Sequence, residues 1–310
     1  MKMEEIKVVV ILGQTASGKS KTAIELAGMF DAEIVSADSM LVYRFMDIGT
    51  AKPSKYERAK VKHHLIDIAN PDEDYTAAQF KDDASKAIED IHKKGKNIFI
   101  VGGTGLYIKA LTRGLFKGPS KDERLRKKFK KLSEEKGRDY LYAMLKKVDP
   151  VSASKIHPNN EVRIIRALEV YHTANKPLSS FQTEHGFIEE PYETLQIGIA
   201  KEREKLYQDI ETRVDNMIDA GLIDEVKRLI KMGYSPELKP MQALGYKEAN
   251  NYLDGMLSFD DMLKEIKKNT KRYAKRQMTW FRKETDIKWL DADDRKGMIS
   301  MIKGFLSYGL

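Results

Sequence analysis

The chain has 310 residues, of which 41% are hydrophobic and 33% charged, enough for one large domain or two ordinary domains with a buried core. It contains no cysteine, which excludes disulfide bonds, thiolate metal sites and cysteine nucleophiles. The formal net charge of +8 favours a polyanionic partner only weakly. No apolar run approaches the roughly 18–20 residues of a membrane span, and no signal-peptide pattern is present, so we expect a cytoplasmic protein.

The first part of the chain alternates apolar runs with segments of helical spacing. We predict strands over 6–12 and 32–39, helices over 19–29 and 82–95, and a strand, a glycine turn and a helix over 97–111. Repeated strand–helix units predict a parallel sheet that is covered on both faces. Ligands bind such sheets at the carboxyl ends of the strands, where the polar segments GQTASGKS, ADS and GGTG converge.

The composition changes after Gly114, where charged helical segments interrupted by prolines replace the strands. We expect Ser120 and Glu123 to form a capping box at the first of these helices. A strand over 194–200 follows, then a long helix that ends at Gly233. The predicted domains are the first part of the core (1–115), a helical insertion (116–193) and the returning core (194–310), which includes a basic helix over 258–284.

The segment GQTASGKS, residues 13–20, fits the phosphate-binding loop GxxxxGK(S/T) between a strand and a helix. Gly13 and Gly18 allow backbone N–H groups to point at anionic oxygens, and the following helix directs its positive end there. Lys19 adds a full charge, and the hydroxyl of Ser20 is a ligand for Mg²⁺. The predicted fold is α/β, with a parallel sheet like that of the P-loop NTPases, flanking helices and an inserted all-helical domain.

Two further polar segments are expected beside this loop. Asp38 follows the second strand and places a carboxylate near the phosphate, although the N-cap of a short helix is an alternative role. Thr104, in GGTG, begins another helix near the same ligand. Because the loop identifies a diphosphate or triphosphate but no reaction, an ATP-dependent kinase for small molecules or nucleotides and a non-enzymatic RNA-binding module both stay open.

The predicted basic helix carries nine Lys or Arg residues against one acid within 264–283. Lys264, Lys268, Lys271 and Lys275 fall on one helical face. Trp280, Phe281 and Arg282 at its end add stacking surface of the kind that binds unpaired bases. This pattern favours contact with RNA over a simply solvated face.

Seven segments, in order, resemble the tRNA dimethylallyltransferase (isopentenyl-tRNA transferase) family: GQTASGKS, SADSMLVYRFMDIGTAKP, HHLID, VGGTGLYIKAL, RIIRALEV, GYKEANNYL and KRQMTWFRK. The likeness runs from about residue 8 to 290, and the second and last segments are more diagnostic than the phosphate loop. It implies transfer of a dimethylallyl group from dimethylallyl diphosphate to the N6 amine of the adenosine 3′-adjacent to the anticodon in tRNA. Diphosphate is then the leaving group and Mg²⁺ the cofactor.

The resemblance also implies residue roles. Asp38 matches the general base toward the adenine amine, and Thr104 a site residue near the reacting groups. The implied diphosphate or nucleotide site comprises Gly13, Gln14, Thr15, Ala16, Ser17, Gly18, Lys19, Ser20, Arg166 and Arg213, with Ser20 also toward Mg²⁺. The implied tRNA-binding residues are Asp38, Ser39, Met40, Leu41, Thr104, Arg126, Val162, Arg163, Ile164, Ile165, Arg166, Gln242, Ala243, Leu244, Gly245, Tyr246, Lys247, Lys275, Arg276, Gln277, Met278, Thr279, Trp280, Phe281 and Arg282.

The implied partners are the anticodon stem-loop of tRNA and dimethylallyl diphosphate, bound by a monomer that needs no membrane. Leu41 departs from the family pattern, because many members have Gln at this position. His63 and His64 are expected to be structural, since no further metal ligand lies at a useful spacing.

Overall fold

The computed structural model describes residues 6–307. Within them, six parallel strands form one sheet in the order β3-β2-β4-β1-β5-β6. The strands are β1 Lys7–Gly13, β2 Ala32–Ser36, β3 His63–His64, β4 Asn97–Gly102, β5 Glu193–Ala200 and β6 Ile287–Asp291. The predicted parallel α/β sheet is confirmed, and the paired histidines are one of its edge strands.

Both faces of the sheet are covered by apolar clusters. Along β1, Val8 and Val10 pack into one cluster, whereas Val9 and Ile11 pack into the other, because successive side chains of a strand point to opposite faces. The helices of this part are α1 Lys19–Met29, α2 Lys55–Lys60, α3 Ala77–Lys93, α4 Gly105–Thr112, α10 Arg203–Asp219, α11 Leu222–Lys231, α12 Tyr246–Leu253, α13 Phe259–Phe281 and α14 Arg295–Ser307. No helix in residues 6–307 is long and apolar enough to cross a membrane.

The chain divides into two compact units, one running up to Thr112 and resuming at Glu190, the other spanning Arg113–Glu189. The second unit is entirely helical in its regular structure. Its helices are α5 Glu123–Lys136, α6 Arg138–Val148, α7 Pro150–Lys155, α8 Glu161–Ala174 and α9 Leu178–His185. It has a core of its own, to which Leu141, Leu145 and Leu168 contribute fully buried side chains.

Some helix boundaries differ from the sequence prediction. The predicted capping box at Ser120 and Glu123 is wrong, because Asp122 caps α5 by accepting hydrogen bonds from the N–H groups of Arg124 and Leu125. The predicted start of a helix at residue 82 is also wrong, since a capping box at Thr76 begins α3 five residues earlier.

The long helix predicted to end at Gly233 is instead two helices, α10 and α11. Gly221 lies between them with φ of +95°, a left-handed conformation that interrupts the helical hydrogen bonding. The predicted second strand is shorter than expected and ends at Ser36, so Asp38 lies beyond the strand, just before the turns of residues 39–42.

Candidate active site

The phosphate loop connects β1 to α1 through two left-handed residues, Ala16 with φ of +61° and Gly18 with φ of +87°. At the start of α1, Lys19 turns back and donates from Nζ to the carbonyl of Gln14 over 3.2 Å. Burial lowers the pKa of Lys19 to about 8, the carboxylate of Asp38 opposes this, and Arg213 adds to it. The loop therefore holds a partly desolvated ammonium group that a bound anion would stabilise in its charged form.

Asp38 is fixed by hydrogen bonds that tie the end of β2 to the end of β4. Its Oδ1 accepts from the N–H of Met40 over 2.9 Å. The N–H of Ser39, which lies between them in the chain, donates to Oγ1 of Thr104 over 3.1 Å. The N–H of Thr104 in turn donates to the carbonyl of Ala37 over 3.2 Å. Residues 39–42 form turns rather than a helix, so the alternative role of Asp38 as a helix N-cap is wrong.

Two cavities meet at Asp38. The first, named here the loop cavity, is lined by Lys19, Ser20, Ser36, Leu41 and Gln277 among others. The second, named the wide cavity, has a volume of about 470 Å³ and includes Ser39, Met40, Arg276 and residues 242–248 in its lining. Both cavities are lined by Thr15, Asp38, Thr50, Arg213 and Tyr273. The carboxylate thus stands between a cavity at the phosphate loop and a larger cavity beside it.

Arg213 reaches this junction from α10, and its guanidinium donates to the carbonyl of Thr50 over 3.3 Å. Burial lowers the pKa of Arg213, and the Asp38 carboxylate acts in the opposite direction. Tyr273 reaches the same junction from α13, where burial and then the charge of Asp38 raise its pKa, so its phenol stays protonated. The sequence prediction included Arg213 but missed Tyr273, which reads in the sequence as an apolar core position of the basic helix.

The sequence also gave no sign of Glu225, which shapes the wall of the wide cavity. Its buried carboxylate accepts hydrogen bonds from the N–H groups of Asp47, Ile48 and Gly49 and from the hydroxyl of Tyr246. Nothing local marks a glutamate in an amphipathic helix for such a role, because its partners lie 21 to 178 residues away. Glu225 therefore holds in place the turn that carries Thr50.

Several predicted tRNA-binding residues of the basic helix line a third cavity, of about 360 Å³. Lys275, Met278, Thr279 and Arg282 belong to it, with Gln14, Lys201, Arg203, Leu206 and Tyr207, and among the described residues no acidic side chain lines it. Trp280 is partly buried against the core. Phe281 is only 1% exposed, so the predicted stacking of a base on this ring is wrong: the ring packs into the core and anchors the helix.

The predicted residues of the insertion lie in the second unit. Arg126 and Arg166 both bind the carboxylate of Glu169, which is completely buried, through hydrogen bonds of 2.7 to 3.0 Å. Arg166 also donates to the carbonyl of Pro119 over 2.9 Å. Val162 is 78% exposed at the start of α8, whereas Ile164 is fully buried in the core of this unit. A contact between the Ile164 side chain and RNA is therefore ruled out in this conformation.

Comparisons with known proteins identify the family. A model of the IPP transferase family matches residues 41–284. The chain is 53% identical over 292 residues to tRNA dimethylallyltransferase 2 of Geotalea daltonii, covering 94% of this chain and 90% of that protein. It is 49% identical to the tRNA dimethylallyltransferase of Geobacter metallireducens, covering 97% of this chain and 98% of that protein.

Solved structures agree with this. The tRNA isopentenylpyrophosphate transferase of Bacillus halodurans is 40% identical over 97% of both chains, with a TM-score of 0.72. A eukaryotic dimethylallyltransferase, captured acting on tRNA, gives a TM-score of 0.83 at 32% identity, covering 98% of this chain and 80% of that one. This chain belongs to the IPP transferase family.

Proposed function

We propose that this chain transfers a dimethylallyl group from dimethylallyl diphosphate to the N6 amine of the adenosine 3′-adjacent to the anticodon in tRNA. The products are N6-(dimethylallyl)adenosine and diphosphate. Relatives that match over nearly the whole chain are named tRNA dimethylallyltransferases, so prenylation of tRNA is the activity of this family. The observation that carries the proposal is the position of Asp38, whose carboxylate lines both the loop cavity and the wide cavity.

The loop cavity suits the diphosphate of the donor. Lys19 and Arg213 line it and supply two positive charges, while Gly18 gives the loop the curvature of a phosphate site. As the bond to the leaving group breaks, negative charge collects on the diphosphate, and groups that are already in place stabilise it. Removing one such group typically lowers turnover by roughly 10²–10³-fold.

Asp38 acts on the other reactant. The amine of adenine is a weak nucleophile because its lone pair is delocalised into the ring. When N6 attacks C1 of the dimethylallyl group, the bond from C1 to the diphosphate oxygen breaks, and one N6 proton passes to the Asp38 carboxylate. A base placed in this way typically contributes about 10²–10⁴-fold to the rate.

Mg²⁺ is proposed as the cofactor, and the oxygen-rich lining of the loop cavity fits it. Ser20, Ser36 and Asp38 line this cavity, and Oγ of Ser36 is buried with no hydrogen-bond partner among the described residues. Mg²⁺ at phosphate sites usually takes one or two protein oxygens and completes its shell with phosphate oxygens and waters. Ser20 would hold the ion, which when bound adds positive charge beside the diphosphate.

The wide cavity suits the base. Its volume of about 470 Å³ lies in the ordinary range for small-molecule sites. The target adenosine must leave the stack of the anticodon loop to enter it, at a cost of a few kcal/mol. Basic residues of α13 would offset this by binding the RNA backbone, and we propose that the protein does so as a cytoplasmic monomer.

The proposal is tested by incubating unmodified tRNA with the protein, Mg²⁺ and dimethylallyl diphosphate, followed by nuclease digestion and mass spectrometry. We expect one dimethylallyl group on the adenosine that follows the anticodon. A parallel incubation replaces the donor with ATP labelled at the γ-phosphate and adds candidate acceptors. Transfer of that label, with tRNA left unmodified in the first incubation, would support a kinase and contradict the proposal.

A further inference from the structure

Gln277 links the phosphate loop to the turn after β4. Its Oε1 accepts from the N–H of Thr15 over 2.8 Å, and its Nε2 donates to the carbonyl of Gly103 over 3.0 Å. The side chain is buried, with only 7% of the residue exposed. Both ends of the amide are therefore used inside the protein, and the N–H of Thr15 is directed at α13 rather than at a phosphate.

The two segments that Gln277 connects carry different halves of the site. Thr15 lies in the phosphate loop, which leads to Lys19, whereas Gly103 precedes Thr104, which holds the N–H of Ser39 beside Asp38. The fit at Gly103 is tight, because a Cβ there would lie 2.4 Å from Nε2 of Gln277.

A second hydrogen bond joins the same helix to the loop. Nε2 of Gln14 donates to the carbonyl of Ala274 on α13 over 2.8 Å. Two amide side chains thus tie α13 to the phosphate loop, and that helix also carries the basic residues expected to bind tRNA.

We propose that Gln277 is a positioning residue that sets the distance between the base Asp38 and the groups of the phosphate loop that bind the diphosphate. The inference rests on the proposed function. It departs from the sequence prediction, in which Gln277 belongs to the tRNA-binding surface, because a buried amide with both ends occupied has no polar atom to offer RNA. Loss of Gln277 should therefore slow the chemical step and leave tRNA affinity unchanged.

Gln277→Glu tests this with almost no change in shape. An ionised glutamate still accepts from Thr15 but faces the carbonyl of Gly103 without a proton, whereas a protonated glutamate restores both hydrogen bonds. With saturating tRNA and donor, we expect the single-turnover rate of this variant to fall about tenfold or more at about pH 8. As the pH is lowered toward 5, the ratio of the variant rate to the wild-type rate should rise.

The ratio is used because other ionisable groups line the same cavity as Gln277 and are present in both proteins: Lys19, Asp38, His63, Arg213 and Tyr273. Gln182→Glu, on the partly exposed side of α9, is the matched control and should behave as wild type. Gln277→Met removes both hydrogen bonds at similar volume and should show the rate loss at every pH.

Three results would overturn the inference. The first is a loss of tRNA affinity in Gln277→Glu with an unchanged single-turnover rate, which would make Gln277 an RNA contact. The second is a wild-type rate in both variants, and the third is loss of the folded state in both. If wild-type protein itself leaves tRNA unmodified, the proposed function fails instead.

Discussion

At the level of single residues, the proposed reaction depends on where Asp38 is held. Ala37 precedes it, and the carbonyl of Ala37 lies so close to β4 that a Cβ on Gly102 would approach it to 2.0 Å. Such a distance is far inside van der Waals contact, so only glycine fits at this point of the strand. The base and the loop cavity are therefore built on close backbone packing between β2 and β4.

Asp38→Asn should lower the single-turnover rate of prenyl transfer by at least about 10²-fold, because the amide cannot accept the N6 proton. tRNA affinity, measured by filter binding, should change little, since the side chain keeps its size and its hydrogen bond to Met40. Asp72→Asn, in an exposed loop, makes the same chemical change elsewhere and should leave both quantities as in wild type. Equal losses of rate and affinity in Asp38→Asn would contradict a role as base.

Gly102→Ala should destabilise the protein, because its Cβ has no room beside Ala37, and overpacking of this kind costs about 1–3 kcal/mol. Gly28→Ala is the opposite case, since a Cβ at this position of α1 meets nothing within 4 Å. It should stabilise the protein by about 0.4–1 kcal/mol. Denaturant unfolding of both variants measures the difference, and equal stabilities would show that the packing at Gly102 is loose.

At the level of elements, the sequence pattern of α13 predicted its basic face but did not show all of the ion pairs on it. The spacing of Lys264, Lys268 and Lys271 correctly predicted a helix with one basic face. Lys268 pairs with Glu265 at 2.6 Å, and Lys271 pairs with Glu211 of α10. The first partner is visible in the helical spacing, whereas Glu211 lies 60 residues away and is brought near only by the packing of two helices. The charge available to RNA is thus smaller than the sequence suggests.

We therefore predict that two double variants of α13 differ in the salt dependence of their tRNA binding. Lys275 and Arg282 line the third cavity, where residues 6–307 contribute no acidic side chain, and their replacement by alanine should reduce the salt dependence of tRNA binding by about 1.5 in the log–log slope. Replacing Lys268 and Lys271 should reduce it less, because both are already paired with acids. Binding titrations over a range of salt concentrations measure both slopes. The reverse order would place the RNA nearer Lys268 and Lys271 than the third cavity and would contradict this prediction.

At the level of the whole molecule, the strand–helix alternation was enough to predict the parallel sheet and the convergence of the phosphate loop, Asp38 and Thr104 at the carboxyl ends of its strands. The buried carboxylates that organise each of the two units could not be predicted. Glu225 and Glu169 look in the sequence like surface acids of amphipathic helices, and only the folded chain brings distant N–H groups and arginines to them. Polar networks between remote segments leave no periodic signal, unlike apolar faces.

Glu169 should make the second unit sensitive to acid. Burial alone would raise its pKa, but hydrogen bonds from Arg126 and Arg166 outweigh burial and bring the pKa below its usual value. The stabilisation from these bonds is therefore present above the unfolded-state pKa of about 4.3 and is lost as the pH falls through the lower folded-state pKa.

Glu169→Gln tests this by leaving the two arginines without their anion. It should destabilise the second unit by about 1.5–3 kcal/mol at neutral pH and weaken the dependence of its stability on pH in the acid range. Hydrogen exchange of α8 as a function of pH measures both effects. Glu184→Gln, whose side chain is 62% exposed, is the control and should change neither. If the stability of the second unit depends on acidic pH in Glu169→Gln as it does in wild type, that dependence arises from groups other than Glu169.

The most direct test of the proposed reaction uses two anticodon stem-loops that differ in one group. One carries adenosine 3′-adjacent to the anticodon, and the other carries purine riboside, which lacks the exocyclic amine. With dimethylallyl diphosphate and Mg²⁺, we predict that the first RNA gains one dimethylallyl group for each diphosphate released. With the second RNA, we predict that no dimethylallyl group is attached and no diphosphate is released. Diphosphate release at equal rates with both RNAs, or a prenyl group attached to the RNA that carries purine riboside, would contradict transfer to the N6 amine at Asp38.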